Sequence, residues 1–478
     1  MTADQLRSAC SAALEPIRSL SGEGRDAFLY AASALFAAVT ALAVGIPLYR
    51  QWGQLAVGPY VAATVLMVLV ARRRTTLEAR GDDGARSMRR RKAARIAAFA
   101  LVLFGATVVP LALEVVWASE GNAALHVQPE VLVVERAGIR AAHGNDPYQV
   151  VDRNGHILIN QSTLPVYELY YPYLPGMVVF GFSSGSKVEA RLTDARIQFL
   201  LFTLLVAGFA LSRVRPRSDA RVRSLQALTV LPTAALPLAT GGDDMPVVAL
   251  MLLGLVALQR RRPVLAGLAL GAASTLKFTA WPLVFLALFA VADLQGRRAI
   301  GRYLLAVLAF VVPVVVPVAL HNPSAFIDNV IRFPLGLAGV ASPAASALPG
   351  HILVSAFPGV HRPYVIVAAI LGLAVLGWRL LRNPPRDAAE VAKLTGWVML
   401  VAILLAPATR VGYLLYPINL FLWAWMFRRS SDPADEHEEL LDGGAGEAQL
   451  PSGVSNTSTE YGVVPAGVVG EATTPVSQ

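Results

Sequence analysis

Apolar residues fall in long runs along this chain, and the intervals between the runs are mostly short, polar and basic. Runs of spanning or near-spanning length lie at about 27–49, 54–71, 96–117, 197–213, 225–240, 246–259, 263–276, 281–293, 303–320, 364–381, 394–407 and 411–427. A helix needs roughly 20 apolar residues to cross a bilayer. Several runs hold only about 13–16, so these segments are expected to be short, tilted or packed around a water-filled cavity. The pattern predicts an all-α fold: a polytopic transmembrane helical bundle of about 12 spans. Basic residues give it a direction. Arg72, Arg73, Arg74, Arg89, Arg90, Arg91 and Lys92 follow the second run. Arg213, Arg215, Arg217, Arg221 and Arg223 follow the fourth, Arg260 to Arg262 the sixth, and Arg297, Arg298 and Arg302 the eighth. Every cluster follows an even-numbered run, which places those loops and both termini in the cytoplasm of a multi-pass plasma-membrane protein.

Composition agrees. Of 478 residues 55% are hydrophobic and 15% charged, against about 25% charged in a soluble domain. The net charge of +9 does not imply nucleic acid, because the arginines stand at the ends of apolar runs, where anionic lipid headgroups meet them. Cys10 is the one cysteine, so any disulfide would be intermolecular. The first run, Ala27 to Tyr49, is too long for a signal peptide and is expected to be a retained span.

The chain then divides into a cytoplasmic segment 1–26, two leading spans 27–71, a basic loop 72–95, a core 96–427 and an acidic tail 428–478. The tail is expected to be disordered and cytoplasmic. No internal repeat is evident. The two long outer segments are 118–196 and 321–363, and chemistry is expected there.

In the first of them, Pro129 suits a helix start and Gly144 a helix end. Val131, Val134, Gly138 and Ala141 share one face, while Arg136, Arg140 and His143 share another, which predicts an amphipathic helix along the outer surface. The stretch from Tyr170 to about Phe182 is too short to span and predicts a juxtamembrane helix with its aromatics at headgroup level.

Four motifs follow in order: Gly144-Asn145-Asp146-Pro147-Tyr148, Tyr171-Pro172-Tyr173-Leu174-Pro175, Gly241-Gly242-Asp243-Asp244 opening a span, and Ala266-Gly267 through Leu276-Lys277 before Pro282. Together they resemble the GT-C class of integral membrane glycosyltransferases, closest to glycosyltransferase family 87, over roughly residues 96–427. The resemblance implies a GT-C bundle with outer-side juxtamembrane helices. It implies a polyprenyl-phosphate sugar as donor, mannose in the family's characterised members, and an envelope glycan or glycolipid as acceptor. It also implies an inverting displacement, with the catalytic base soon after an outward span. That position is Glu130 here, where the family more often carries aspartate. Neither a cofactor nor a metal ligand set is implied.

A departing phosphate needs fixed positive charge, for which Arg136, Arg140, Lys277, Arg332 and Arg410 are candidates. Asp146, Tyr148, Tyr171, Asp243, Asp244, His321 and Tyr413 complete the candidate substrate-binding set. Each has a plainer reading. Glu130 complements a helix dipole, and Asp243 and Asp244 are a solvated helix cap. Asp146 shapes a turn, Arg136 and Arg140 meet lipid headgroups, and Tyr413 is an interface anchor. Lys277, a lone cation in an apolar run, snorkels to the interface. His321, His351 and His361 share the second outer segment, and nothing selects among them. The competing function is a lipid-binding or lipid- or solute-transporting membrane protein without catalysis. Short cytoplasmic loops without a Gly-rich phosphate cradle argue against a soluble nucleotide sugar.

Overall fold

A computed structural model describes residues 20–79, 84–148, 164–185, 190–214 and 219–429, all within one compact unit. The predicted segments before residue 20 and after 429, including Cys10 and the acidic tail, lie outside the described residues. Fifteen α-helices of nine or more residues are found among the described residues. They are α1 Gly22–Ala43, α2 Pro47–Ala79, α3 Ala85–Val102, α4 Val109–Trp117, α5 Pro129–Ala142, α6 Ala195–Ser212, α7 Asp219–Thr229 and α8 Pro232–Thr240. The rest are α9 Asp244–Gln259, α10 Pro263–Leu276, α11 Trp281–Gln295, α12 Arg297–His321, α13 His361–Arg382, α14 Ala388–Leu405 and α15 Leu415–Arg429. No strand is formed among the described residues; one isolated bridge joins Ala345 to Thr409.

Eight helical segments are long and apolar enough to cross a membrane, and α9 and α10 are shorter apolar helices. The twelve expected runs all carry helix, but not twelve uninterrupted spans. Run 225–240 is broken between α7 and α8, where Pro232 has no N–H to continue the first helix. Run 96–117 contains a π-helical turn, Leu103–Val108, just before Pro110. That proline cannot donate to the carbonyl of Ala106, and Trp52 Nε1 donates to it at 2.8 Å.

Helix α9 is apolar on every side, and 14 of its 16 residues are buried, so it forms the bundle's centre. It is antiparallel to α10 across the short turn at Arg260–Arg262, and the two have nearly equal lengths. The start of α9 therefore lies beside the end of α10. At about 24 and 21 Å, both helices stop short of a full hydrocarbon thickness of ~30 Å. Their polar termini are thus held inside the protein. By contrast, α13 buries no residue.

At the opposite, basic end, an ion network ties the two leading helices to the core. Asp26, 2% exposed, accepts from Arg95 Nε at 2.6 Å, Gln226 Nε2 at 2.7 Å and Arg223. Asp219 accepts from Arg25 at 3.0 Å and Arg95 at 3.1 Å. Helices α1 and α2 are therefore part of the same packed unit as the core, not an appendage to it.

Candidate active site

Helix α5 starts as the sequence predicts, with Pro129 at its first position, Glu130 in its first turn and its buried face built on Val131, Val134 and Gly138. It packs against the 3-10 helix Pro175–Gly185, which stands where a juxtamembrane helix is expected. The two backbones touch: a Cβ on Gly138 would stand 2.2 Å from the Gly181 carbonyl carbon. Any side chain there would push α5, and Glu130 with it, off its support.

Gln128, just before α5, fastens it to the end of α8, where the turn into α9 begins. Its N–H donates to the Thr240 carbonyl at 3.1 Å, and its side-chain amide to Thr240 Oγ1 at 2.8 Å and Tyr49 Oη at 3.0 Å. This contact explains the Gly-Gly-Asp-Asp motif. A Cβ on Gly241 would lie 2.3 Å from Gln128 Oε1, and Gly242 takes φ +84°, a conformation that costs a side chain but not glycine. The turn delivers Asp243 and Asp244 into the interior, where they are 7% and 8% exposed. They are not the solvated cap that composition alone allows.

Lys277, at the end of α10, meets them. Its Nζ donates to Asp243 at 2.8 Å and Asp244 at 2.5 Å, and lies over the rings of Tyr173 and Tyr413 at 5.1 and 5.7 Å. The expectation of an isolated cation is corrected: the antiparallel α9–α10 pair brings both carboxylates to it. Tyr416 donates to Asp244 at 2.6 Å and accepts from Thr279 at 2.7 Å. A second ion pair joins Glu130 Oε1 to Arg410. Burial opposes the Arg410 charge, yet the Glu130 carboxylate bonded to it holds its pKa above the ordinary value. Glu130 Oε2 is buried without a hydrogen-bond partner.

Both ion pairs open on one cavity of about 1350 Å³. Glu130, Asp243, Asp244, Lys277, Arg410, Tyr173 and Tyr413 line its polar end. From there it continues as an apolar groove between α1, α8 and α15, with Leu29, Ala32, Phe36, Leu236, Ile418 and Leu422 on its walls, and reaches Arg223. Leu29, Ala32, Ser33 and Phe36 recur at helical spacing, so one face of α1 forms a wall.

Of the nominated residues, Glu130, Asp243, Asp244, Lys277, Arg410 and Tyr413 come together here. The others do not line the cavity. Arg136 donates to the Glu168 carbonyl at 3.0 Å and its carboxylate at 3.2 Å. Arg140 donates to the Pro147 carbonyl. Asp146 accepts the Tyr148 N–H at 2.8 Å, a turn contact. Tyr148 donates to the Tyr173 carbonyl at 2.7 Å and packs on Tyr171, so both support Tyr173 from behind. Arg332 is paired with Asp328 at 2.7 Å on the surface, and His321 ends α12. His351 and His361 bond the carbonyls of Pro407 and Leu335. Sequence reasoning missed Tyr49, Gln128, Tyr416 and the α1 wall. Tyr173 stood inside a quoted motif without being nominated. Among the described residues, no cluster of three or more His, Cys, Asp or Glu could hold a metal.

Residues 189–407 match the family model of glycosyltransferase family 87. The resemblance read from the motifs is thus shown for that segment, and it indicates a glycosyltransferase built on membrane helices. No curated protein and no solved structure matches the chain. The family 87 segment runs from just before α6 to just after α14 and carries Asp243, Asp244 and Lys277. Glu130, Arg410 and the α1 wall lie outside it, joined to it by the contacts described above.

The same α5 makes a further junction with that segment. Glu135 accepts the N–H of Ala195 at the start of α6 at 2.9 Å. Burial, opposed by this bond, pushes its carboxyl up to about 7 from an ordinary 4.5. Between those values the folded chain holds a proton that the unfolded chain has released, so stability falls as pH rises through the window. The melting temperature of wild type in detergent should therefore drop between pH 5 and 8 relative to Glu135→Gln, which keeps the accepting oxygen. Parallel pH profiles would refute this.

Proposed function

We propose that this chain transfers a sugar, mannose by its family likeness, from a polyprenyl-phosphate donor to an envelope glycan or glycolipid. The proposed setting is the plasma membrane, with the α9 start and α10 end facing outward and both termini in the cytoplasm. The observation that carries this reading is the cavity itself. A paired-charge polar end continues into an apolar groove, and a lipid-linked sugar is a molecule of that shape.

In the proposed reaction Glu130 accepts the proton of an acceptor hydroxyl as its oxygen bonds to the anomeric carbon. The bond from that carbon to the phosphate oxygen breaks, and its electron pair leaves with the phosphate. The phosphate thereby gains one negative charge, beside Lys277 and Arg410. Their carboxylate partners keep these cations charged despite burial, and each cation retains further N–H donors for the phosphate. The single displacement inverts the anomeric centre.

The test is transfer from radiolabelled polyprenyl-phosphate mannose, by purified protein in detergent, to acceptor lipids in a crude extract. Label appearing in a new glycolipid is the expected result. Binding of the donor without transfer from any polyprenyl-phosphate sugar would favour the lipid-binding or transport reading.

A further inference from the structure

The α1–α2 hairpin lies outside the family 87 segment, yet its residues line the large cavity from one end to the other. Ile46 and Tyr49 stand at the polar end, and Phe36, Ala32 and Leu29 follow along the apolar groove toward Arg223. Resting on the transferase reading, we propose that α1 is a specificity wall for the donor's lipid. A long polyprenyl tail enters sideways between α1 and α15 and lies along Leu29, Ala32 and Phe36, with its phosphate at Lys277 and Arg410.

The groove has a floor, two walls and an open side. Helix α7 packs on α15 and α8 on α1, so α7 and α8 form the floor, where Ala227 is buried. Phe36 on one wall is 46% exposed and Ile418 on the other 43%, so the cavity opens between them toward hydrocarbon. A lipid reaches this groove from within the bilayer, and no apolar chain has to cross water.

Length is the second argument. From Leu29 to the end of α1 at Ala43 is about 21 Å, so the groove follows most of a hydrocarbon layer of ~30 Å. A long polyprenyl tail reaches Leu29, whereas a geranyl tail stops well short of it. Ala32 lies between the larger Leu29 and Phe36 on the same helix face, which hollows the wall at mid-length.

Charge fixes the direction of the lipid. At the inner end Arg223 Nη1 donates to Asp26 and Gln226, Nη2 to the Gly22 carbonyl and Asp219, and Nε to Asp219. A guanidinium has five N–H donors, so Arg223 has none left for a phosphate. At the other end Lys277 gives two bonds to Asp243 and Asp244 and keeps a third donor. The phosphate therefore belongs at the polar end, with the tail running from it toward Arg223.

The test narrows the groove from either wall with Ala32→Trp and Ile418→Trp in the full chain. Ala31→Trp is the control, since Ala31 is exposed on α1 but does not line the cavity. Each protein is first checked for wild-type melting behaviour. Both groove variants should raise KM for a long-chain polyprenyl-phosphate mannose at least tenfold, and for geranyl-phosphate mannose less than twofold. The control should change neither. Equal effects on the two donors, or no effect, would overturn the wall. A second arm measures binding of radiolabelled long-chain polyprenyl phosphate, without sugar, to the proteins in lipid nanodiscs. Affinity at least tenfold weaker in the two groove variants, and unchanged in the control, supports the proposal; equal affinity in all four overturns it. Displacement of the label by phosphatidylglycerol as readily as by unlabelled polyprenyl phosphate would overturn the choice of occupant. The binding arm stands even for a protein that transfers nothing, a failure that would count against the transferase reading alone.

Discussion

Replacing Glu130 by glutamine should lower sugar transfer by about 10²–10⁴-fold, the usual contribution of a positioned base. Glutamine keeps the shape of the side chain and an oxygen for Arg410, whose side chain is 26% exposed. Some stability should be lost with the charge pairing, but folding should persist. What it loses is the capacity to take a proton. Donor binding should survive, because the apolar groove and Lys277 are untouched, and the loss should fall on kcat. Glu130→Asp, which keeps the carboxylate but shortens its reach, should retain more activity than Glu130→Gln. Initial rates for the three proteins, beside donor binding measured by equilibrium partition, check this. Transfer that survives in Glu130→Gln would leave the enzyme standing and remove Glu130 from its chemistry.

Removing the Lys277 charge should harm folding as well as activity. Lys277→Met leaves Asp243 and Asp244 buried side by side with no cation, and breaking a buried pair from one side costs about 3–5 kcal/mol. The expected result is a poor yield of folded protein and a lowered melting temperature. Neutralising the partners as well, with Asp243→Asn and Asp244→Asn added to Lys277→Met, should restore much of the stability, since no unpaired charge is left. Transfer should remain lost in that triple variant, because the departing phosphate has lost a neighbouring cation. Recovery of stability without activity would separate the two roles of Lys277. Full activity in the triple variant would remove Lys277 and both aspartates from the site.

Helix α5 illustrates how much of the site could be read beforehand. Pro129, the buried face of Val131, Val134 and Gly138, and the turn at Asp146 all follow from local rules, and the helix forms where they say. Its arginines show where such rules stop. Arg136 and Arg140 were plausible phosphate ligands by spacing alone, but Glu168 and the Pro147 carbonyl take them up. The Tyr-Pro segment was recognisable as too short to span, yet its 3-10 helix meets α5 at a Gly138–Gly181 approach that no local pattern announces.

The apolar runs determined where helices form, because a backbone in hydrocarbon must satisfy its own hydrogen bonds, and that requirement acts locally along the chain. The parity of the basic clusters likewise anticipated that both ends of the described chain meet at one end of the bundle. There α1 contacts α7, and Ser224 on α7 reaches Met426 of α15 at 3.4 Å. Only the tertiary structure decided which charges are partners. Lys277 and Asp243 are 34 residues apart, Tyr416 and Asp244 are 172 apart, and Glu130 finds Arg410 from the far end of the core. The same holds for α1, whose apolar face looks in sequence like any lipid-facing surface and becomes a cavity wall only when α8 and α15 stand opposite it. Ion pairs and cavities are properties of surfaces brought together by packing, and their energy depends on distance in space, which chain separation does not encode.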